Sequence, residues 1–126
     1  QGLLSPYTVP KVQEYDEFLY DPDGYYYGTR LITTGIAYHT QAPIKPTSWF
    51  DLINPQVKNM VAMPSPLYSG AALIHLATVT ADPQLGWTYY ENLKNNGVSQ
   101  QGGNGGVLTD ITTGNKEYGV LVAYMA

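Results

Sequence analysis

The chain has no cysteine, which excludes disulfides, thiolate metal sites and cysteine nucleophiles while leaving the compartment open. Basic residues are few: six Lys and Arg stand against ten Asp and Glu, for a formal net charge of −4. Scattered as they are, they build neither the basic face that a nucleic-acid backbone needs nor a polybasic membrane patch. No apolar run approaches the roughly 20 residues of a membrane-spanning helix, so no membrane insertion is expected. The start, Gln1-Gly2-Leu3-Leu4, has no signal-peptide pattern. Charged residues make up only 13% of the chain and hydrophobic residues 44%, the balance of a globular domain with a real core. Phe and Trp are scarce, two of each, yet Tyr occurs twelve times. Tyrosine suits surfaces packed on one side and wet on the other, in clefts, in interfaces or on an ordinary strand-rich exterior.

The most informative stretch is Met63-Pro64-Ser65-Pro66-Leu67-Tyr68-Ser69-Gly70-Ala71-Ala72-Leu73. The prolines cannot donate backbone hydrogen bonds and mark the end of a strand at Lys58 to Met63. Ser69 is a good N-cap for a helix running to about Asp82. Gly70 and Ala71 carry so little side chain that a ligand can approach the free amides of its first turn. A helix start of this kind suits an anion. The same letters also describe an ordinary capped turn.

Residues 1–30 read as an irregular lead-in, with Asp21-Pro22-Asp23-Gly24 as a turn and Tyr25-Tyr26-Tyr27 beginning a strand. Residues 31–126 read as a single lobe. Leu31 to Tyr38 is rich in strand formers and is expected to be a largely buried strand, with Gly35 as a bulge or close-approach point. Ser48 or Thr47 caps a short helix that stops at Asn54-Pro55. In the helix after Ser69, the apolar residues Leu73, Ile74, Leu76, Ala77 and Val79 form the stripe, and His75 is expected to be a packing residue. Asp82 with Pro83 opens the next helix, which ends at Asn95-Asn96-Gly97. Gln100 to Gly106 is a glycine-rich loop before a helix beginning near Val107, and it lacks the spacing of a nucleotide P-loop. Tyr118 to Met125 is a continuous apolar run, the pattern of a central strand buried on both faces. Ending one residue later, it is expected to belong to a longer protein. Alternating strands and helices predict an α/β fold: a three-layer lobe with a mostly parallel central sheet flanked by helices. Ligands in such sheets sit beyond the carboxyl ends of the strands.

Several runs, taken in order, resemble the extracellular solute-binding proteins of ABC importers, in the branch that holds ferric-iron, thiamine, phosphonate and sugar-phosphate binders. They are Gly35-Ile36-Ala37-Tyr38, Thr47-Ser48-Trp49-Phe50-Asp51-Leu52, Val61-Ala62-Met63-Pro64, Ser69-Gly70, Asn104 and Gly114 to Val120. The resemblance implies the second lobe of a two-lobe, type 2 periplasmic-binding fold, with the first lobe absent. It implies a periplasmic or extracellular protein, lipid-anchored in a Gram-positive source, that hands a small anionic solute to an ABC permease. Ser69, Gly70, Ala71, Asn104 and Gly105 are the positions that would hold the anion, with Tyr68 and Tyr124 walling the cleft. Ferric-binding members use two adjacent tyrosines as iron ligands, whereas here Tyr124 is followed by Met125. A thioether is soft and ferric iron takes hard ligands, so an organic phosphoryl or phosphonate anion fits better; ferric iron with a synergistic anion, held through Tyr124, is the alternative the resemblance leaves open, and no other cofactor is expected.

Two other classes of function compete. An enzyme would draw on His39 or His75 with Asp51, Asp110 or Glu117, but no catalytic spacing joins them. A structural lobe would self-associate through exposed tyrosines and apolar surface.

Overall fold

The computed structural model describes residues 2–122, and contacts divide the chain into two compact units, Gln1–Leu31 and Ile32–Ala126. In the first unit Asp21-Pro22-Asp23-Gly24 closes as expected, the Gly24 amide donating to the Asp21 carbonyl at 2.9 Å with φ of 79° at Gly24. Two single 3₁₀ turns, Val12–Glu14 and Glu17–Leu19, precede it. The strand expected from Tyr25 to Tyr27 is not formed beyond one antiparallel bridge, Tyr20 to Tyr27. Ring packing takes its place: Tyr20 and Tyr27 stack at 5.9 Å, and Tyr15 meets both edge-on.

The second unit is the α/β lobe. In chain order it contains β1 (Thr34–Tyr38), two 3₁₀ segments (Trp49–Ile53 and Pro55–Val57), β2 (Val61–Pro64), α1 (Gly70–Ala81), α2 (Gly86–Asn95), β3 (Ser99–Gln101), α3 (Asn104–Thr112) and β4 (Tyr118–Val122). The sheet order is β1-β4-β2-β3. β2 pairs in parallel with both β3 and β4, and β1 is an antiparallel edge on β4. The sheet is therefore mostly parallel, and β4 and β2 are its fully buried centre.

Strand alternation sorts the two helical layers. Val61 and Met63 of β2, with Tyr118 and Val120 of β4, pack with Leu52, Val79, Tyr89 and Leu93 on one face. Ala62 and Leu121 pack with Val107 and Ile111 of α3 on the other. Full burial of each large aliphatic side chain contributes about 1.5–3 kcal/mol. Gly119 also faces α3, and a Cβ there would come within 2.5 Å of Val107 Cγ1 and Ile111 Cδ1. The helix lies close to the sheet because that position is bare.

Local chemistry explains the element ends. Ser48 caps the first 3₁₀ segment, its hydroxyl accepting from Phe50 N at 3.3 Å while Asp51 returns the bond to Ser48 N at 2.9 Å. α2 ends at Asn96, whose side chain donates to the carbonyls of Leu52 and Asn54, and Gly97 follows at φ of 77°. Tyr118 is 1% exposed, and its hydroxyl both donates to the Ile44 carbonyl and accepts from the Ile44 amide, each at 2.9 Å.

Further expectations are corrected. Gly35 stands opposite Leu121 in unbroken register, with no bulge. β1 is an edge strand and only partly buried. Asp82 does not open α2: it terminates α1, and its carboxylate caps the linking turn by accepting from Gln84 N and Leu85 N. The stretch from Gln100 holds the end of β3, and α3 begins at Asn104, so Gly105 and Gly106 belong to its first turn.

Candidate functional site

β2 delivers the chain to α1 on one face of the sheet, and β3 delivers it to α3 on the other. Because β2, β3 and β4 run in parallel, their carboxyl ends share a rim, and both helices start there. A rim from which helices leave to opposite faces is where open α/β sheets hold ligands.

Ser69 is 6% exposed, and its Oγ accepts from Ala72 N at 3.2 Å. Asn104 Nδ2, at the start of α3, donates to that same Oγ at 3.2 Å. Asn104 Oδ1 accepts from the amide of Val122, the end of β4, at 3.1 Å. One carboxamide thus ties α1, α3 and β4 together across the rim. The first-turn amides of Gly70 and Ala71 have no acceptor within their helix. Open space surrounds Gly70 and Gly105, where an added Cβ would meet nothing within 4 Å.

Beside this junction lies a cavity of about 180 Å³ lined by Ile32, Thr34, Ala71, Ile74, Asn104 and Val122. Of the residues singled out from sequence, Ser69, Ala71 and Asn104 come together here, with Gly70 and Gly105 at the two helix starts. Tyr68 is 79% exposed and does not line the cavity. Tyr124 lies outside the described residues. Ile32, Thr34, Ile74 and Val122 were not foreseen. Thr34 and Val122 are partners in the β1–β4 register, and Ile74 follows Ala71 by one helical turn, a spacing that could have paired them.

Of the residues considered for catalysis, His39 and Glu117 approach each other, and Asp51, His75 and Asp110 are engaged elsewhere. Asp51 serves its cap, and bonds from the amides of Thr47 and then Ser48 hold its carboxyl below the usual range. His75 is buried, with Nδ1 2.9 Å from the Tyr90 hydroxyl and its ring against Trp49. Burial pushes its pKa down. Asp110 accepts from the Gln101 side chain. His39 and Glu117 approach to 3.9 Å at the opposite end of β4 from Val122.

Two helix starts thus meet at this rim beside a cavity. Residues 1–126 match the bacterial extracellular solute-binding proteins, and the chain belongs to that family. Its fold is similar to a solved two-component-system protein that mediates signal transduction, at a TM-score of 0.74 and 20% identity over 94% of this chain and 40% of that one. It is also similar to the ferric binding protein from Campylobacter jejuni, at a TM-score of 0.68 and 20% identity over 98% of this chain and 41% of that one. The chain therefore spans about two-fifths of the length of these structures and has the architecture of one periplasmic-binding lobe. No curated protein matches the sequence.

Proposed function

We propose that this chain is the second lobe of a periplasmic or extracellular receptor, and that it binds a small organic anion, phosphonate- or organophosphate-like, at the start of α1. The observation that carries this reading is the Asn104–Ser69 bond. It holds two helix starts, each the positive end of a dipole, side by side at the rim of the sheet. In this reading the amides of Gly70, Ala71 and Gly105 receive the anion. Asn104 positions them through both ends of its carboxamide, and its amide nitrogen carries a second hydrogen able to donate. Ile32, Ile74 and Val122 give the neighbouring cavity apolar walls, which suits a solute with a carbon body. The intact protein would close a first lobe over the solute and present it to an ABC permease.

The ferric binding protein among the structural neighbours makes ferric iron with a synergistic anion the competing solute. Met125 stands where a second tyrosine ligand would be needed, which favours the organic anion. The test is thermal stability against inorganic phosphate, sulfate, 2-aminoethylphosphonate, hexose phosphates and ferric citrate. A ligand bound only by the folded state raises the melting temperature by mass action. A rise with a phosphoryl or phosphonate compound supports the reading. A rise with ferric citrate alone replaces it.

A second reading has its own observation: Leu67, Tyr68, Leu73 and Ile74, around the start of α1, are 54–85% exposed. Apolar surface of this kind seeks a partner, so the lobe would self-associate there. Sedimentation across a concentration series separates the two readings, since Ile74→Lys should return any dimer to monomer.

A further inference from the structure

A second cavity, of about 240 Å³, lies between α1 and α2. Ala71 lines the rim cavity and Ala72 this one, so the two lie on different flanks of α1. Met63 and Ala72, which are 5% and 3% exposed, contribute buried apolar surface to it. Trp87 and Tyr90 contribute two rings, 6.4 Å apart and inclined at 56°. The Tyr90 hydroxyl is 2.9 Å from His75 Nδ1, so what Tyr90 offers the cavity is chiefly ring surface. Trp87 is 65% exposed, an unusual amount of indole to leave in water, and a ligand beside it would remove that surface from solvent.

We infer that this cavity is a binding site for a small, neutral aromatic molecule. Its volume exceeds the roughly 150 Å³ that suffices for benzene in an apolar cavity. Two inclined rings and the Met63 thioether favour a flat aromatic guest through edge, face and sulfur contacts. None of the lining residues is charged, so an ionised guest would give up water without gaining a counter-charge. Gln100 supplies the polar side chain of the lining, an amide able to pair with a ring N–H or a ring heteroatom.

The test uses the full chain with ¹³C-methyl methionine and indole as the probe. The Met63 methyl should shift saturably with indole while Met60, which does not line the cavity, stays in place. Indole-3-acetate, charged at neutral pH, and cyclohexanol, neutral but not aromatic, should produce much weaker effects. Ala72→Leu fills the cavity and should abolish the shift. Trp87→Ala, altered at an exposed residue, should weaken binding about three- to tenfold and keeps the test decisive if Ala72→Leu does not fold. A Met63 signal that does not move up to the solubility limit of indole would overturn the assignment. So would a shift unchanged in Trp87→Ala, or one that cyclohexanol reproduces at the same concentration.

Discussion

The Asn104 side chain donates to the Ser69 hydroxyl at 3.2 Å while accepting from the backbone of Val122 at 3.1 Å. A helix cap and a strand end are thereby fixed to the same two-ended group. The rim of the sheet is held by this bridge, and the openness of Gly70 and Gly105 on either side leaves room for a solute.

Asn104→Ala should therefore destabilise the lobe by about 1–2 kcal/mol, since it removes two hydrogen bonds and leaves the Val122 amide without its acceptor. Ser69→Ala should cost about 1 kcal/mol through its lost cap. Combined, they should cost less than the sum, because each single variant already breaks the shared bond. Urea denaturation of the three variants measures the coupling, and strict additivity would contradict the bridge.

At Gly119 the expected effect is steric. A methyl there would press on Val107 and Ile111, so Gly119→Ala should cost about 1–3 kcal/mol by overpacking. Adding Val107→Ala should recover part of that loss. The midpoint of chemical denaturation in the single and double variants checks it.

His75 gives the lobe a pH dependence with a definite sign. Burial lowers its pKa in the folded state, so the unfolded chain takes up the proton first as pH falls. Above about pH 6.5 the imidazole is neutral in both states and contributes no slope. Below that, stability falls by up to about 1.4 kcal/mol per pH unit until the folded-state pKa is reached. His75→Phe should lose this component, read as the difference between wild type and variant from pH 7.5 to 5. Parallel profiles would show that His75 does not carry it.

Tyr118 closes both bonding groups of Ile44 with one hydroxyl. Tyr118→Phe leaves amide and carbonyl unpaired and should cost about 1–3 kcal/mol. Hydrogen exchange at the Ile44 amide should speed up more than exchange in α3, which the substitution does not touch.

The fold class and the Ser48 and Ser69 caps were legible because each rests on a short-range rule: alternation of elements, a hydroxyl two or three residues from an amide, a glycine after a helix. Gly97 and the turn at Gly24 were legible for the same reason. The facing of α1 was not. Its sequence is apolar nearly all round, so periodicity could not orient it. The buried face is Ala72, His75 and Val79, while Leu73 and Ile74 point outward. Asp82-Pro83 misled because an aspartate capping a turn uses the same bonds as one capping a helix. At the site, Ser69 and Asn104 are 35 residues apart, and no local rule pairs them. Their association was suggested by the family resemblance, and the lining residues Thr34 and Val122 come from strand register alone.

The most direct measurement is calorimetric titration of 2-aminoethylphosphonate into the wild-type chain and into Gly70→Asp. Gly70 has open space around it, and an acidic residue in the first turn of a helix favours the helix dipole. The variant should therefore fold at least as stably as wild type while placing a negative charge where the anion is to bind. Saturable heat is expected with wild type, and its loss in Gly70→Asp at a melting temperature no lower than that of wild type. Equal binding by both proteins would contradict a solute site at the start of α1.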